Sequence, residues 1–286
     1  MKISLAQINP TVGDIQLNFG LIVKHAKIAQ KANAEILITP ELSICGYPPE
    51  DLLLNNNFIK ECNDSLLKIA QKFPELIIIV GHPRIFKGLL FNSASILYKG
   101  KIEKTYDKQV LPNYGVFDEK RYFQAGNKSL VFTHKSKKFG LLICEDIWVQ
   151  GPAERLPKVD YIICINASPY EINKDEARIE ELKKRIPLNN CTLIYLNLVG
   201  GQDDLLFDGG SFIFNKKYGL IDRLEQFKSK NKVINLTEIN NRFSSANTKI
   251  FIPTIKILLN GLILALKDYL SKNSIKNIFI GLSGGI

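Results

Sequence analysis

Short apolar runs rich in β-branched residues recur along this chain, and most are followed or preceded by a segment of helical period. Runs buried on both faces, alternating with amphipathic helices, restrict a chain to layered α/β architectures. KISLAQI reads as a first strand, and Leu17 to Ala32 as a helix with Leu21, Ile22 and Ala29 facing inward. EILITPEL is a second strand ending in a polar turn; Phe58 to Phe73 is helical and Glu75 to Gly81 a third strand. NSASILY and KIEKTY read as a hairpin joined by Lys99-Gly100. Lys138 to Cys144 is a strand, followed by a turn and a short helix before the strand in YIICINAS. A charged helix from Lys174 to Asn190 leads to CTLIYLN, and Gly209 to Arg223 forms a second hairpin around Lys216-Lys217. The hairpins make the sheets mixed.

Beyond the polar stretch Asn240 to Thr248 the pattern changes. Thr254 to Leu270 is an apolar helix carrying Ile255, Leu258, Leu259, Leu262, Ile263 and Leu266, and Asn277 to Leu282 reads as a strand. It runs into Ser283-Gly284-Gly285-Ile286, a small glycine-rich loop of the kind that begins a phosphate cradle. The expected division is therefore residues 1–247 as one domain and 248–286 as a linker and the start of a second.

Composition excludes several function classes. No apolar run is long enough to span a bilayer, and the amino terminus lacks the apolar core of a signal peptide. The five cysteines stand singly, with no CxxC pair, so neither a zinc site nor a disulfide framework is expected, and the cytoplasm is the expected compartment. A net charge of +10 invites a nucleic-acid reading. Its lysines are scattered, however, with no aromatic-interleaved stripe, which fits a solvated surface and no nucleic-acid partner.

Three strand ends carry residues able to do chemistry, the position at which open α/β sheets hold their sites. Glu41 follows the apolar run ILIT, where a desolvated carboxylate can serve as general base; taken alone, a helix cap or a solvated turn acid is the commoner reading. Lys108 precedes a Pro-Asn-Tyr-Gly loop; it is either an oxyanion-stabilising cation or one more surface lysine. Cys144 ends GLLI and is followed by two acids, as for a nucleophile on a sharp turn; buried structural cysteine is the alternative, which Cys164 fits well. His25, His82 and His134 lie away from the cysteine, and there is no Gly-x-Ser-x-Gly elbow.

Taken together, TPELSICGYPPEDLL with Glu41, YDKQVLPNYGVFDEKRYF with Lys108 and GLLICEDIW with Cys144 resemble the nitrilase, or carbon–nitrogen hydrolase, superfamily and its Glu-Lys-Cys triad. INASPYEINK, GGQDDLLFDGGSF and the tail IFIGLSGGI narrow the resemblance to the glutaminase domains of the glutamine-dependent NAD synthetase family. The resemblance implies a four-layer α-β-β-α sandwich plus a short C-terminal helix-strand fragment of a second α/β domain. It implies that Glu41 takes the thiol proton of Cys144, that Lys108 favours the thiolate and meets the oxyanion, and that L-glutamine is hydrolysed through a thioester. It places Tyr114, Ser168 and Lys174 at glutamine-binding positions, with Glu119 and Glu145 beside them. Glu119 reads equally as a loop acid near Lys120 and Arg121, and Glu145 and Asp146 as solvated acids or turn caps. No metal is implied for the glutaminase reaction. ATP, Mg2+ and deamido-NAD belong to the synthetase half, of which Ser283, Gly284 and Gly285 look like an incomplete ATP loop. A homo-oligomer is expected. A stand-alone amidase of the superfamily and a non-catalytic remnant are the competing readings.

Overall fold

The computed structural model describes residues 1–172, 174–186, 191–239 and 254–284. Two six-stranded mixed sheets dominate it. The first contains β1 (Lys2–Gln7), β2 (Ile36–Ile38), β3 (Ile77–Phe86), β4 (Leu89–Tyr98) and β5 (Lys101–Asp107), with β14 (Lys230–Asn235) at its far edge beside β1. The second contains β6 (Leu130–His134), β7 (Lys137–Ile143), β8 (Tyr161–Asn166), β9 (Thr192–Asn197), β12 (Phe212–Asn215) and β13 (Gly219–Arg223). A small hairpin, β10 (Val199–Gln202) with β11 (Leu205–Asp208), stands apart.

Strand alternation builds the layers. Ile3, Leu5, Ile36, Ile38, Ile77 and Ile79 join one core cluster with Leu141, Ile143, Ile163 and Ile165 of the second sheet, so these faces meet. The residues between them, Ala6, Leu37, Ile78 and Val80, turn outward onto α1 (Ile15–Lys31) and α2 (Asn56–Lys72). Ile22, Ala26, Ala29, Leu66 and Ile69 receive them at helical spacing. Leu182 and Ile186, in and just after α3 (Lys174–Arg185), pack with the second sheet. The result is the four-layer α-β-β-α sandwich. A one-turn helix, α4 (Leu236–Ile239), follows β14, and α5 (Thr254–Lys272) follows later.

Several expectations are corrected. Asn277 to Leu282 is not a strand: among the described residues no partner strand takes up its backbone N–H and C=O groups, and Phe279 is 99% exposed. The short helix expected before β8 is a four-residue 3-10 helix over Cys144–Ile147, directly after β7 and followed by turns, not preceded by one. The charged helix ends at Arg185, and 187–190 lie outside the described residues, as do Asn240 to Thr248 and the expected domain boundary near 247. Leu21 is only partly buried. β3 runs five residues past Gly81 to pair with β4, and β6 was not anticipated.

The C-terminal helix does find a partner on one side. Gly261 is buried against Leu206 and Phe227, and Asp268 Oδ2 accepts from Asn9 Nδ2 at 2.7 Å and Gly201 N at 2.8 Å. Lys272 donates to the carbonyls of Pro10 and Gly201. Its other faces leave Ile255, Leu259, Leu262, Ile263 and Leu266 more than half exposed. No helix among the described residues is long and apolar enough to cross a membrane.

Candidate active site

Each of the three strand-end residues is fixed by backbone contacts across the sheet. Glu41 sits in the turn after β2, where Thr39 N donates to Ile79 O and Ile44 N to Gly81 O. The fit against β3 is so close that a Cβ on Gly81 would lie 2.4 Å from Leu42 N and 2.8 Å from the Glu41 carbonyl carbon. Only glycine allows that crossing. Lys108 follows β5, its N–H bonded to Asn92 O and its carbonyl accepting from Gly126 N at 2.7 Å. Gly126 is under the same constraint, since a Cβ there would meet Asp107 O at 2.3 Å.

Cys144 opens the 3-10 turn after β7 with φ of 45°, a left-handed conformation that is uncommon for a residue with a side chain and is characteristic of sharply turned functional positions. Asp146 holds this turn. Its Oδ2 accepts from Ile143 N and Tyr106 OH, and its Oδ1 from Gln109 N and Val110 N. One buried carboxylate thus ties the cysteine turn of the second sheet to the segment just after Lys108 in the first. The cap reading of Asp146 is correct, but its reach is longer than a cap. Burial pushes its pKa up to about 6 against the pull of these donors.

The side chains converge. Lys108 Nζ lies 2.7 Å from Glu41 Oε1 and 2.8 Å from Glu119 Oε1, with all three residues at least nine-tenths buried. Asn92 Nδ2 also donates to Glu41 Oε1 at 2.7 Å, and Ala167 N to Glu41 Oε2 at 2.8 Å. Tyr47 OH donates to Glu119 Oε1, whereas Glu119 Oε2 has no hydrogen-bond partner among the described residues. Glu119 is therefore a member of the buried cluster and not a solvated loop acid. Its pKa is pushed up to about 7, chiefly by burial, with Lys108 opposing and Glu41 adding to the rise. Burial alone would lower Lys108, yet the carboxylates of Glu119 and Glu41 hold it well above the usual lysine range.

Cys144, 4% exposed, feels this cluster electrostatically, and the sign differs from the expectation. Burial and then Glu41 raise the thiol well above its ordinary value, and Lys108 only partly offsets them. Glu41 and Glu145 act on the thiol against Lys108, so burial is not offset and the thiolate gains little support. The resting cysteine is a thiol, and its proton must leave during attack.

The remaining expected residues surround this centre unevenly. Tyr114, 59% exposed, donates its hydroxyl to Glu145 Oε1 at 2.9 Å. Ser168, buried just after β8, has its N–H bonded to Asn197 Oδ1, while Arg178 Nη2 donates to its Oγ. Lys174 is the first residue of α3; its side chain lies outside the described residues. Ser283 and Gly284 are exposed and irregular, and Gly285 lies outside the described residues. A cavity of about 170 Å³ between the 47–53 and 116–123 segments touches the cluster only through Tyr47 and Glu119. Among the described residues no group of His, Cys, Asp or Glu is arranged to hold a metal ion. Asn92, Asp146, Gly81 and Gly126 were not singled out as site residues by the sequence. Their importance lies in contacts with segments 15 or more residues away.

A sandwich of two sheets with a lysine-bridged pair of carboxylates beside a left-handed cysteine defines a class, and the comparisons agree. The carbon-nitrogen hydrolase family model matches residues 2–240, and the chain belongs to that family. Among individual proteins, it is similar to the glutamine-dependent NAD(+) synthetase of Acinetobacter baylyi, 38% identical over the whole chain and 53% of that protein's length. It is also 37% identical to the Synechocystis enzyme of the same description, over 99% of the chain and 55% of that protein. The glutamine-dependent NAD+ synthetase of Acinetobacter baumannii, solved with ADP, superposes with a TM-score of 0.87 at 35% identity, over 94% of this chain and 52% of that one. An amidase from Nesterenkonia sp. shares the fold, with a TM-score of 0.72 at 24% identity over 82% of this chain and 90% of that one. The chain spans about half the length of the curated relatives it matches.

Proposed function

We propose that this chain is the glutamine-hydrolysing part of a glutamine-dependent NAD synthetase, with Cys144 as nucleophile, Glu41 as general base and acid, and Lys108 as oxyanion stabiliser. The observation that carries the reading is how the donors around Glu41 and Lys108 are spent. Among the described residues Glu41 Oε1 accepts from both Lys108 and Asn92, and Oε2 from Ala167 N alone, which leaves one lone-pair direction on Oε2 for a thiol proton. Lys108 has three N–H bonds, of which Glu41 and Glu119 take two. The third is available to an oxyanion.

The reaction follows from these vacancies. Glu41 takes the Sγ proton as sulfur bonds to the side-chain amide carbon of glutamine, and the electron pair of the carbonyl moves to oxygen. Lys108 Nζ and a backbone N–H of the turn after Cys144 meet that charge. Glu41 passes the proton to nitrogen, the C–N bond breaks, and ammonia leaves a γ-glutamyl thioester. Glu41 then takes a proton from water as its oxygen attacks, and returns it to sulfur as glutamate departs. A thiol that rests protonated makes the base indispensable in the first step.

For recognition, the free Glu119 Oε2 suits the amide nitrogen. Tyr114 with Glu145 forms an exposed polar edge, Ser168 supplies a hydroxyl, and Lys174 is assigned to the α-carboxylate. Residues 1–247 form the glutaminase domain, and 248–286 a linker and the opening of a synthetase domain. ATP, Mg2+ and deamido-NAD act in that second domain, where ammonia is consumed. The described residues at Ser283 and Gly284 do not fit a nucleotide: they are exposed, with no strand behind them to aim their N–H groups. The cytoplasm and a homo-oligomer complete the proposal.

The test is ammonia release by this chain from glutamine, asparagine and simple aliphatic amides. Glutamine is expected to be the preferred substrate. Preference for an aliphatic amide would favour a stand-alone amidase, and no turnover of any amide would favour the non-catalytic remnant.

A further inference from the structure

The motif GGQDDLLFDGGSF supplies no catalytic group, yet one of its residues enters a buried charged network directly behind the site. Asp208 ends β11, and Arg178 lies in the middle of α3; both are 1% exposed. Arg178 Nη1 lies 3.0 Å from Asp208 Oδ2 and 3.3 Å from Oδ1, and Nη2 lies 3.3 Å from Oδ1. The same Nη2 donates to Ser168 Oγ at 3.2 Å and reaches Ser168 O at 3.5 Å. Asn197 closes the set. Its Nδ2 donates to Asp208 Oδ1 and to Ser168 O, and its Oδ1 accepts from Ser168 N. Hydroxyl, carbonyl and N–H of Ser168 are thus all held by groups tied to Asp208.

Arg178 has a second lever. Lys174 is four residues earlier in α3, about one helical turn away. Anchoring Arg178 fixes the rotation and register of the helix that carries Lys174. Burying an ion pair so completely is rarely favourable for stability alone, since its desolvation offsets most of the attraction. Its geometric effect is specific: it locks two elements of one wall.

We propose that Arg178 and Asp208 are positioning residues for the wall that recognises the α-amino and α-carboxylate groups of the substrate, acting on Ser168 directly and on Lys174 through α3. This deepens the glutamine reading and rests on it. In this proposal the pair governs discrimination between glutamine and an amide lacking the α-groups, not the chemistry at Cys144.

The experiment compares steady-state ammonia release from glutamine and from pentanamide, which has the same chain length without the α-groups. The wild-type chain is measured beside Asp208→Asn and Arg178→Lys. Asp208→Asn is expected to raise KM for glutamine at least tenfold, with kcat changed less than threefold and kcat/KM for pentanamide within threefold of wild type. Arg178→Lys keeps the charge but cannot hold Asp208 and Ser168 together as the forked guanidinium does, so it should lose the preference in the same direction. Should either single variant fold poorly, Arg178→Met with Asp208→Leu removes both charges at little expected cost in stability and must show the same collapse of the glutamine to pentanamide ratio. An unchanged ratio, or equal losses on both substrates in a folded variant, overturns the positioning role while leaving the glutamine reading intact. A wild-type chain that shows no preference for glutamine defeats that reading, and the positioning role with it.

Discussion

The Lys108 cluster and α5 treat polarity in opposite ways. Around Lys108 the protein buries one ammonium and two carboxylates, each at most 5% exposed, whereas α5 leaves Leu259, Leu262, Ile263 and Leu266 more than half open to water. Charges survive in the interior only because each is partnered: Glu41 has three donors and Lys108 two carboxylates. The few polar groups that do hold α5, Asp268 and Lys272, are satisfied by the body. Its apolar faces are not. Polarity that is costly where it lies but specifically arranged points to chemistry; apolar surface left uncovered on a docked helix points to a further packing partner. The proposed function assigns the first to glutamine hydrolysis and the second to the boundary with a synthetase domain.

The largest effects should come from breaking the cluster. Lys108→Ala removes the oxyanion charge and leaves two buried carboxylates side by side. Turnover is expected to fall by about 10²-fold or more, and stability by about 3–5 kcal/mol, read by ammonia release and by chemical denaturation. A Lys108→Ala protein of near-normal rate would return the residue to a purely structural role. Gly81→Ala should come next. It touches no reacting group, yet its Cβ would push directly on the Glu41 turn, so activity should drop with the thiol of Cys144 still present by titration.

Glu119→Gln sharpens the electrostatic side. Burial raises the Glu119 pKa from 4.5 in the unfolded chain to about 7 in the fold. A carboxyl whose folded value is raised contributes stability below about pH 4.5 and loses it as pH climbs through 7. The neutral glutamine lacks that loss. The melting temperature of Glu119→Gln relative to wild type should therefore rise between pH 5 and pH 8; a flat or falling difference would show that Glu119 is not strained by its burial. The smallest effects belong to α5. Leu262→Gln with Leu266→Gln should leave turnover unchanged and stability within about 0.5 kcal/mol, while reducing self-association in sedimentation. A loss of activity there would mean that the two regions are coupled.

Much of this was legible in the sequence because periodicity reports burial: the strands through Ile3, Ile38, Ile78 and Ile163 and the helices α1 and α2 could be read from spacing alone. Glu41, Lys108 and Cys144 stood out as strand-end residues, and resemblance supplied their grouping. The failures share a cause. Asn277 to Leu282 has strand composition, but a strand requires a neighbour, and composition does not provide one. The sign of the Cys144 shift is set first by its burial and then by Glu41, and neither the burial nor the approach of Glu41 from a segment a hundred residues away is written in the sequence around Cys144. The demands on Gly81 and Gly126, and the reach of Asp146 and Arg178, likewise exist only between distant segments.

The most direct test of the central claim is mass mapping after reaction with a glutamine-like diazo-ketone. Five cysteines are buried in this chain, so accessibility alone favours none of them. Among the described residues only Cys144 has both a base and an ammonium acting on it, Glu41 and Lys108. The account predicts that the label falls on Cys144, that glutamine protects it, and that Glu41→Gln abolishes the reaction while Cys45, Cys62, Cys164 and Cys191 stay unmodified. Labelling at Cys45 or Cys164, or unprotected labelling that persists in Glu41→Gln, would contradict it.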